Sequence, residues 1–307
     1  MSTATTERRV KKGRGRSQNT LDMVRAMHDI LEEIEPASVR AVCYRLFVAK
    51  LIPDMSRGST SKVSRMLVTA RENGEIPWDW VVDENRQAEH VATWTDPEEI
   101  IRVAARQYRK DFWRDQPHWV EVWSEKGTVR GTLAPVLDKY GITLRVMHGY
   151  SSATVLHDVA KETRDSARPL TILYVGDHDP SGMAMSGIDI PERLARYNGS
   201  ATIRRVSVSW SDIYEHDLPS FSAASKAQDP RHKWFVDNFG HKCYELDALP
   251  PPILRQNVED DILEFIDMPT WEHSAAIEAA EVESMAGFLA TWNGISTPVQ
   301  KYPGGAP

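Results

Sequence analysis

Leu170-Thr171-Ile172-Leu173-Tyr174-Val175-Gly176-Asp177-His178-Asp179-Pro180-Ser181-Gly182 is the stretch on which the fold turns. Leu170–Val175 is an apolar run of strand length, and a turn with two carboxylates and two glycines follows it. Strands and helices alternate on both sides. Trp119–Ser124 reads as a strand, residues 128–140 as a helix closed by Gly141, residues 142–147 as a strand and 153–163 as a helix. After the quoted turn come a helix over residues 183–197 and a strand over 203–208. This spacing predicts parallel βαβ units in a doubly wound, Rossmann-like α/β sheet. Gly131 and Pro135 weaken the first helix and predict a kink or a late start. Further on, Asp229 and Pro230 open a helix to Phe239, residues 244–246 form a short strand that Pro250 to Pro252 stop, and residues 253–267 and 271–292 are helical.

Upstream, Thr20 caps a helix with Leu21, Val24, Met27, Leu31 and Ile34 on one stripe, and Pro36 breaks it. Ser38 caps a second helix running to Leu51, with Val39, Val42, Cys43, Leu46 and Phe47 inward. A third spans residues 61–73 before Gly74, and residues 76–82 read as a short strand and turn. Three short helices followed by a β element is the order of a winged-helix module. The expected organisation is a disordered basic tail over residues 1–17, a winged-helix domain over 18–90, and a linker over 83–95. A sheet domain with a C-terminal helical extension spans 96–297, and a flexible tail spans 298–307.

The chain of 307 residues has 41% hydrophobic and 26% charged residues, which excludes a collagen-like, coiled-coil or wholly disordered protein. No apolar run is long enough for a membrane span, and the polar, basic start has no apolar signal core. Cys43 and Cys243 are too few for a disulfide framework or a zinc cluster. These features predict a cytoplasmic protein without a membrane partner. The net charge of -7 argues against coating nucleic acid by bulk charge. Yet residues 1–17 hold six basic residues against one acid, and residues 36–71 hold seven against one. Such segments are either solvated helix faces or a local phosphate-binding patch on an acidic body.

Glu125 follows the strand Trp119–Ser124, and Asp177 and Asp179 follow Leu170–Val175, so all three sit at carboxyl ends of strands, where open α/β sheets place their sites. Two carboxylates this close repel unless a cation or partner offsets them. Hard oxygen ligands with open positions suit a magnesium ion that also touches a phosphate. The other reading is an exposed acidic turn. Tyr44 lies about 140° around its helix from Val39, away from the predicted core stripe, and Arg40 lies about one turn earlier near the same face. It is either an exposed tyrosine making a hydrogen bond or a phenol whose phenolate the guanidinium stabilises.

Together these residues resemble a family. Val39-Arg40-Ala41-Val42-Cys43-Tyr44 resembles the Arg-x-x-x-Tyr helix in the winged-helix domain of topoisomerase VI A subunits and the related meiotic double-strand-break transesterase. Ser124-Glu125-Lys126 resembles the Glu-Lys of their Toprim domain, and Asp177-His178-Asp179-Pro180-Ser181-Gly182 its Asp-x-Asp-Pro-x-Gly signature. Met147-His148-Gly149-Tyr150 sits where the family has a Gly-rich loop, here without the usual Pro-Asp. The resemblance runs from about Thr20 to Asp267. It implies that Tyr44 attacks a DNA phosphodiester to form a 5′-phosphotyrosyl link, with Arg40 assisting at the phosphate. It also implies that Glu125, Asp177 and Asp179 hold Mg2+. Arg45, Lys62, Arg65, Lys126 and Lys226 become candidates for contacts to double-stranded DNA. In the family, one protomer's tyrosine serves the other's metal site, so a homodimer making staggered cuts is implied, on the nucleoid if the chain is bacterial or phage. No ATPase module is recognisable, so strand passage would need a separate GHKL-type B subunit.

Two other readings compete: a Toprim nuclease that cleaves DNA with activated water, and a non-catalytic winged-helix DNA-binding protein.

Overall fold

Residues 16–82, 93–95, 97–147 and 153–295 are described by a computed structural model of the chain. The front module begins with α1 (Gln18–Ile34), which buries Val24, Met27, Leu31 and Ile34 on one stripe. Its cap is Ser17, whose side chain accepts from the Thr20 amide, not Thr20 itself. β1 (Ala37–Ser38) leads into α2 (Val39–Val48), and Ser38 Oγ accepts from the Ala41 amide at 3.1 Å. α2 ends before the expected Leu51 because Lys50 adopts a left-handed conformation (φ 58°). The amides of Lys50 and Leu51 then donate to the carbonyls of Phe47 and Leu46, each at 2.9 Å, closing the end as a Schellman motif.

α3 (Arg57–Glu72) starts four residues before the expected 61 because Ser56, not a later residue, caps it. Gly74 ends it at φ 72°, as expected. Of the strand predicted over residues 76–82, only β2 (Val81–Val82) is strand, pairing in parallel with β1. The helices enclose a core of Met27, Leu31, Ile34, Val42, Leu46, Val63, Leu67 and Ile76. This module is therefore three helices and a two-stranded ladder. The linker expected over 83–95 falls mostly outside the described residues, as do the tails.

α4 (Pro97–Gln107) carries Glu98 and Glu99 in its first turn, where the helix dipole favours acids. Then come β3 (Trp119–Ser124), α5 (Val129–Tyr140), β4 (Thr143–Val146), α6 (Ala153–Asp165) and β5 (Leu170–Val175). α5 starts on time despite Gly131, contains Pro135, and is closed by Gly141 at φ 63°. The helix expected over 183–197 begins earlier, at Pro180, because Asp179 caps it. Asp179 Oδ1 accepts from the Gly182 amide at 2.7 Å. It runs as α7 (Pro180–Ala184), a π-helical turn (Met185–Asp189) and α8 (Ile190–Arg196), and leads to β6 (Thr202–Ser207).

The four strands form a parallel sheet in the order β4-β3-β5-β6, so the α/β class holds. Ser124 pairs with both Val146 and Val175, which aligns the carboxyl ends of β3, β4 and β5. Every residue of β5 is buried, Thr171 included, as the mostly apolar pattern of a central parallel strand predicts. Leu173 and Val175 face a core with Leu133 and Leu137 of α5. Ile172 and Tyr174 face another, with Leu156 and Val159 of α6 and Leu194 of α8. Within β3, the buried Glu121 carboxylate accepts from Arg145 at 2.6 and 3.0 Å and from Trp123 Nε1 at 2.7 Å. Arg145→Met leaves that carboxylate without its counter-ion and is expected to destabilise the fold by about 3 kcal/mol in urea unfolding, with Arg145→Lys intermediate.

α9 (Trp210–Glu215) follows β6. β7 (Ser220–Ser222) and β8 (Lys242–Tyr244) pair antiparallel around α10 (His232–Phe239). β8 ends two residues before the predicted strand does. Asp229 makes a turn that accepts from Arg231 and does not itself cap α10. α11 (Pro251–Leu263) starts before residue 253 because prolines are tolerated in a first turn, and α12 (Met268–Ile295) follows. α11 contributes Leu254, Val258 and Ile262 to the core beside α5. No helix among the described residues is long and apolar enough to cross a membrane.

Candidate functional site

The strand order reverses between β3 and β5, where crevices open in such sheets. Glu125 and Lys126 leave β3 there, and Asp177 to Asp179 leave β5. A third segment joins them. The turn after β8 brings Glu245 and Asp247 to the same edge, because His178 and Tyr244 exchange backbone hydrogen bonds at 2.9 and 3.0 Å. Lys126 Nζ is the hub. It lies 2.7 Å from Asp177 Oδ1, 2.9 Å from Glu245 Oε2 and 2.8 Å from Asp247 Oδ2. The Leu246 amide donates to Asp177 Oδ1 at 2.7 Å.

From the front module, α2 packs on the 3-10 turn Leu246–Ala248. Arg40 reaches Glu245 Oε2 through Nη2 and Asp247 Oδ2 through Nε, each at 3.2 Å. Its guanidinium carbon lies 5.6 Å from the centre of the Tyr44 ring. Tyr44 belongs to no part of the three-helix core, as its helical angle predicts. It is nevertheless only 7% exposed, with Arg40 over its ring and Glu245, Asp247 and Lys126 of the sheet module near enough for their charges to act on it. The expectation of an outward-facing phenol is corrected accordingly. The expected help from Arg40 is also outweighed. Burial and then the charge of Glu245 raise the Tyr44 pKa, against the opposing pull of Arg40.

Asp179 is 2% exposed and splits its carboxylate between the Gly182 amide and an ion pair with Lys226. Glu125 makes no hydrogen bond or ion pair among the described residues. Burial, then the charge of Asp179, raises its pKa. Burial also raises Asp177, with Lys126 opposing. Lys126 itself is held well above its usual value: burial disfavours its charge, but Asp247, Asp177 and Glu245 together outweigh that. Five carboxylates (Glu125, Asp177, Asp179, Glu245 and Asp247) thus face Arg40, Lys126 and Lys226, with Arg205 acting on Asp177 and Asp179 and Arg231 on Glu125.

Glu125, Asp177 and Asp179 do not place three ligand oxygens within 4.8 Å of one another. Among the described residues only the half-buried His28 with the exposed Asp29 and Glu32 on α1 does so. Of the candidate DNA contacts, Lys126 and Lys226 are engaged in the cluster, and Arg45 pairs with Glu33 at 3.2 Å. Lys62 and Arg65 are on α3, both exposed, and with Arg16 they line a cavity of 330 Å³ against α1. His148, Gly149 and Tyr150 of the Gly-rich loop lie outside the described residues.

Sequence reading missed Glu245 and Asp247, although they repeat the two-residue spacing of Asp177 and Asp179. It also missed Arg205 of β6. Its buried guanidinium clamps the acid turn, donating to the carbonyls of Gly176 (2.7 Å), Asp177, Gly182 (3.2 Å) and Val208 (3.2 Å). Comparison of the chain with protein-family models and with curated proteins gives no match.

Proposed function

We propose that the chain is a Mg2+-dependent DNA-cleaving transesterase of the topoisomerase VI A type, with a winged helix in front of a Toprim domain. The observation that supports it is that Tyr44 and Arg40 of α2 lie together at the module seam, Arg40 pairing with Glu245 and Asp247 beside the acids at the carboxyl edge of the sheet; in the family's arrangement a dimer would bring Tyr44 to the partner's acids. In this reading Tyr44 Oη attacks the phosphorus of double-stranded DNA. The bond to the 3′ oxygen breaks, a 5′-phosphotyrosyl bond forms, and the phenol proton passes through a cluster carboxylate to the departing 3′ oxygen. Arg40 and Lys126 balance charge on the phosphate oxygens.

The donor set suits a hard divalent cation. It offers oxygen ligands only and includes one half-buried carboxylate, Glu125, that makes no hydrogen bond or ion pair among the described residues. Glu125, Asp177 and Asp179 would hold it after Lys226 and Lys126 release the two aspartates. When bound, the ion supplies charge stabilisation at the phosphate. A homodimer would make two staggered cuts, and strand passage would require a separate ATPase subunit.

The burial of Tyr44 favours a second reading, in which the same acids activate water and Tyr44 only packs. One assay separates the two. The protein is incubated with supercoiled plasmid and Mg2+, stopped with detergent, and its DNA ends are analysed. Protein-linked 5′ ends that vanish when EDTA replaces Mg2+ support the transesterase. Free 5′-phosphate ends with no adduct reject it in favour of the nuclease.

A further inference from the structure

The contact between α2 and the Glu245-Leu246-Asp247 turn has a property that the proposed chemistry does not use: it is shut. Tyr44 is 7% exposed, and the cleft that remains elsewhere along the seam between α2 and the sheet module, lined by Ser38, Ala41, Thr132, Leu246, Asp247 and Leu254, measures only 20 Å³. That is about room for a single water, and far less than a phosphodiester needs. Both cations that could greet a phosphate are already committed. Arg40 gives two nitrogens to Glu245 and Asp247, and Lys126 is surrounded by those two carboxylates and Asp177. A second clasp lies outside this cluster. Arg255 of α11 donates from Nη2 to the Glu35 carbonyl at the end of α1 (3.2 Å), and from Nη1 to the Thr132 carbonyl of α5 (3.5 Å). It ties the front module to the sheet module.

We propose that this seam is an autoinhibitory latch, in which Glu245 and Asp247 hold Arg40 and Lys126 so that Tyr44 stays hidden until the modules part. Closed, the carboxylates satisfy the two cations that would otherwise attract any anion, and the sheet module lies over the phenol that α2 carries. Opened at the seam, the same movement exposes Tyr44, frees Arg40 and leaves Lys126 facing solvent. The physical claim is that Tyr44 is shielded by a contact between modules and not by its own module's core. Its meaning for cleavage rests on the reading proposed above.

Hydroxyl-radical footprinting of the full chain without nucleic acid, read by peptide mass spectrometry, tests the latch. Tyr214, 76% exposed, and Tyr174, fully buried in the sheet core, serve as internal references. Tyr44 in the unaltered protein is expected to react at least tenfold more slowly than Tyr214. Arg255→Ala, and separately Asp247→Asn, are expected to raise Tyr44 labelling about tenfold while Tyr174 stays protected, which shows that the sheet module remains folded. Tyr44 labelling as fast as Tyr214 in the unaltered protein overturns the latch. So does unchanged Tyr44 protection in both variants. Arg255→Ala is also expected to increase the covalent adduct several-fold. Absence of any adduct in either protein, with the footprint as expected, rejects the transesterase reading and leaves the shielding of Tyr44 established.

Discussion

Tyr44→Phe is expected to abolish the protein–DNA adduct, a loss of at least about 1,000-fold, equivalent to roughly 4 kcal/mol of barrier. The substitution removes one oxygen and nothing else. That oxygen makes no hydrogen bond among the described residues, so its loss leaves no partner stranded, and the ring keeps its packing between α2 and the sheet module. Stability should change by less than about 1 kcal/mol, which urea unfolding checks. The variant therefore separates chemistry from folding. It should still bind duplex DNA in a gel-shift assay, because Lys62 and Arg65 on α3 are untouched. Equal cleavage by Tyr44→Phe and the unaltered chain, with free 5′-phosphate ends, would transfer the reaction to water and leave the phenol a packing residue.

What could be read in advance divides along the line between local and distant causes. Leu170–Val175 and Trp119–Ser124 were legible to the residue. A central parallel strand is buried on both faces, so both runs are mostly apolar, and the polar residues within them, Glu121, Ser124 and Thr171, are buried as well. Helix starts were less exact because several side chains compete for one cap. The choice of Ser17 over Thr20, and of Ser56 over a later residue, depends on which oxygen reaches the amide three residues on.

The angle of Tyr44 around its helix was legible and its environment was not. Helical geometry says which side chains leave the three-helix core. It says nothing about a second module closing over them from residues 245 to 247. The same reason hid Glu245 and Asp247. Their spacing is an acidic signal, but only the bridge between His178 and Tyr244 brings them to Asp177. Asp179 was legible as an acid of the turn, whereas its service as a helix cap needed the Gly182 amide to be placed.

Gly182→Ala is expected to destabilise the protein by about 3 kcal/mol or more and to eliminate cleavage, for one steric reason. A Cβ at this position would lie 2.2 Å from the carbonyl oxygen of Asp177 and 3.1 Å from its carbonyl carbon. The obstacle is backbone, so no rotamer change relieves it. The glycine thus serves a close approach within the protein, of the start of α7 to the acid turn. Nor can the turn yield cheaply. Asp177 Oδ1 accepts from Leu246, Asp179 Oδ1 from Gly182, the carbonyls of Gly176 and Gly182 from Arg205, and the His178 amide donates to Tyr244. Moving the Asp177 carbonyl by the ångström or so that an alanine demands breaks several of these bonds together. It also draws Asp177 off Lys126 and Asp179 off Lys226. Gly187→Ala is the matched control. Its Cβ meets nothing within 4 Å and its φ is not positive, so it should be neutral or stabilise by up to about 1 kcal/mol. Urea midpoints for the two variants, read beside adduct yield, give the test. If Gly182→Ala unfolds at the midpoint of the unaltered protein, the close packing of α7 against the Asp177 turn is wrong, and with it the placement of both aspartates on which the metal-dependent chemistry depends.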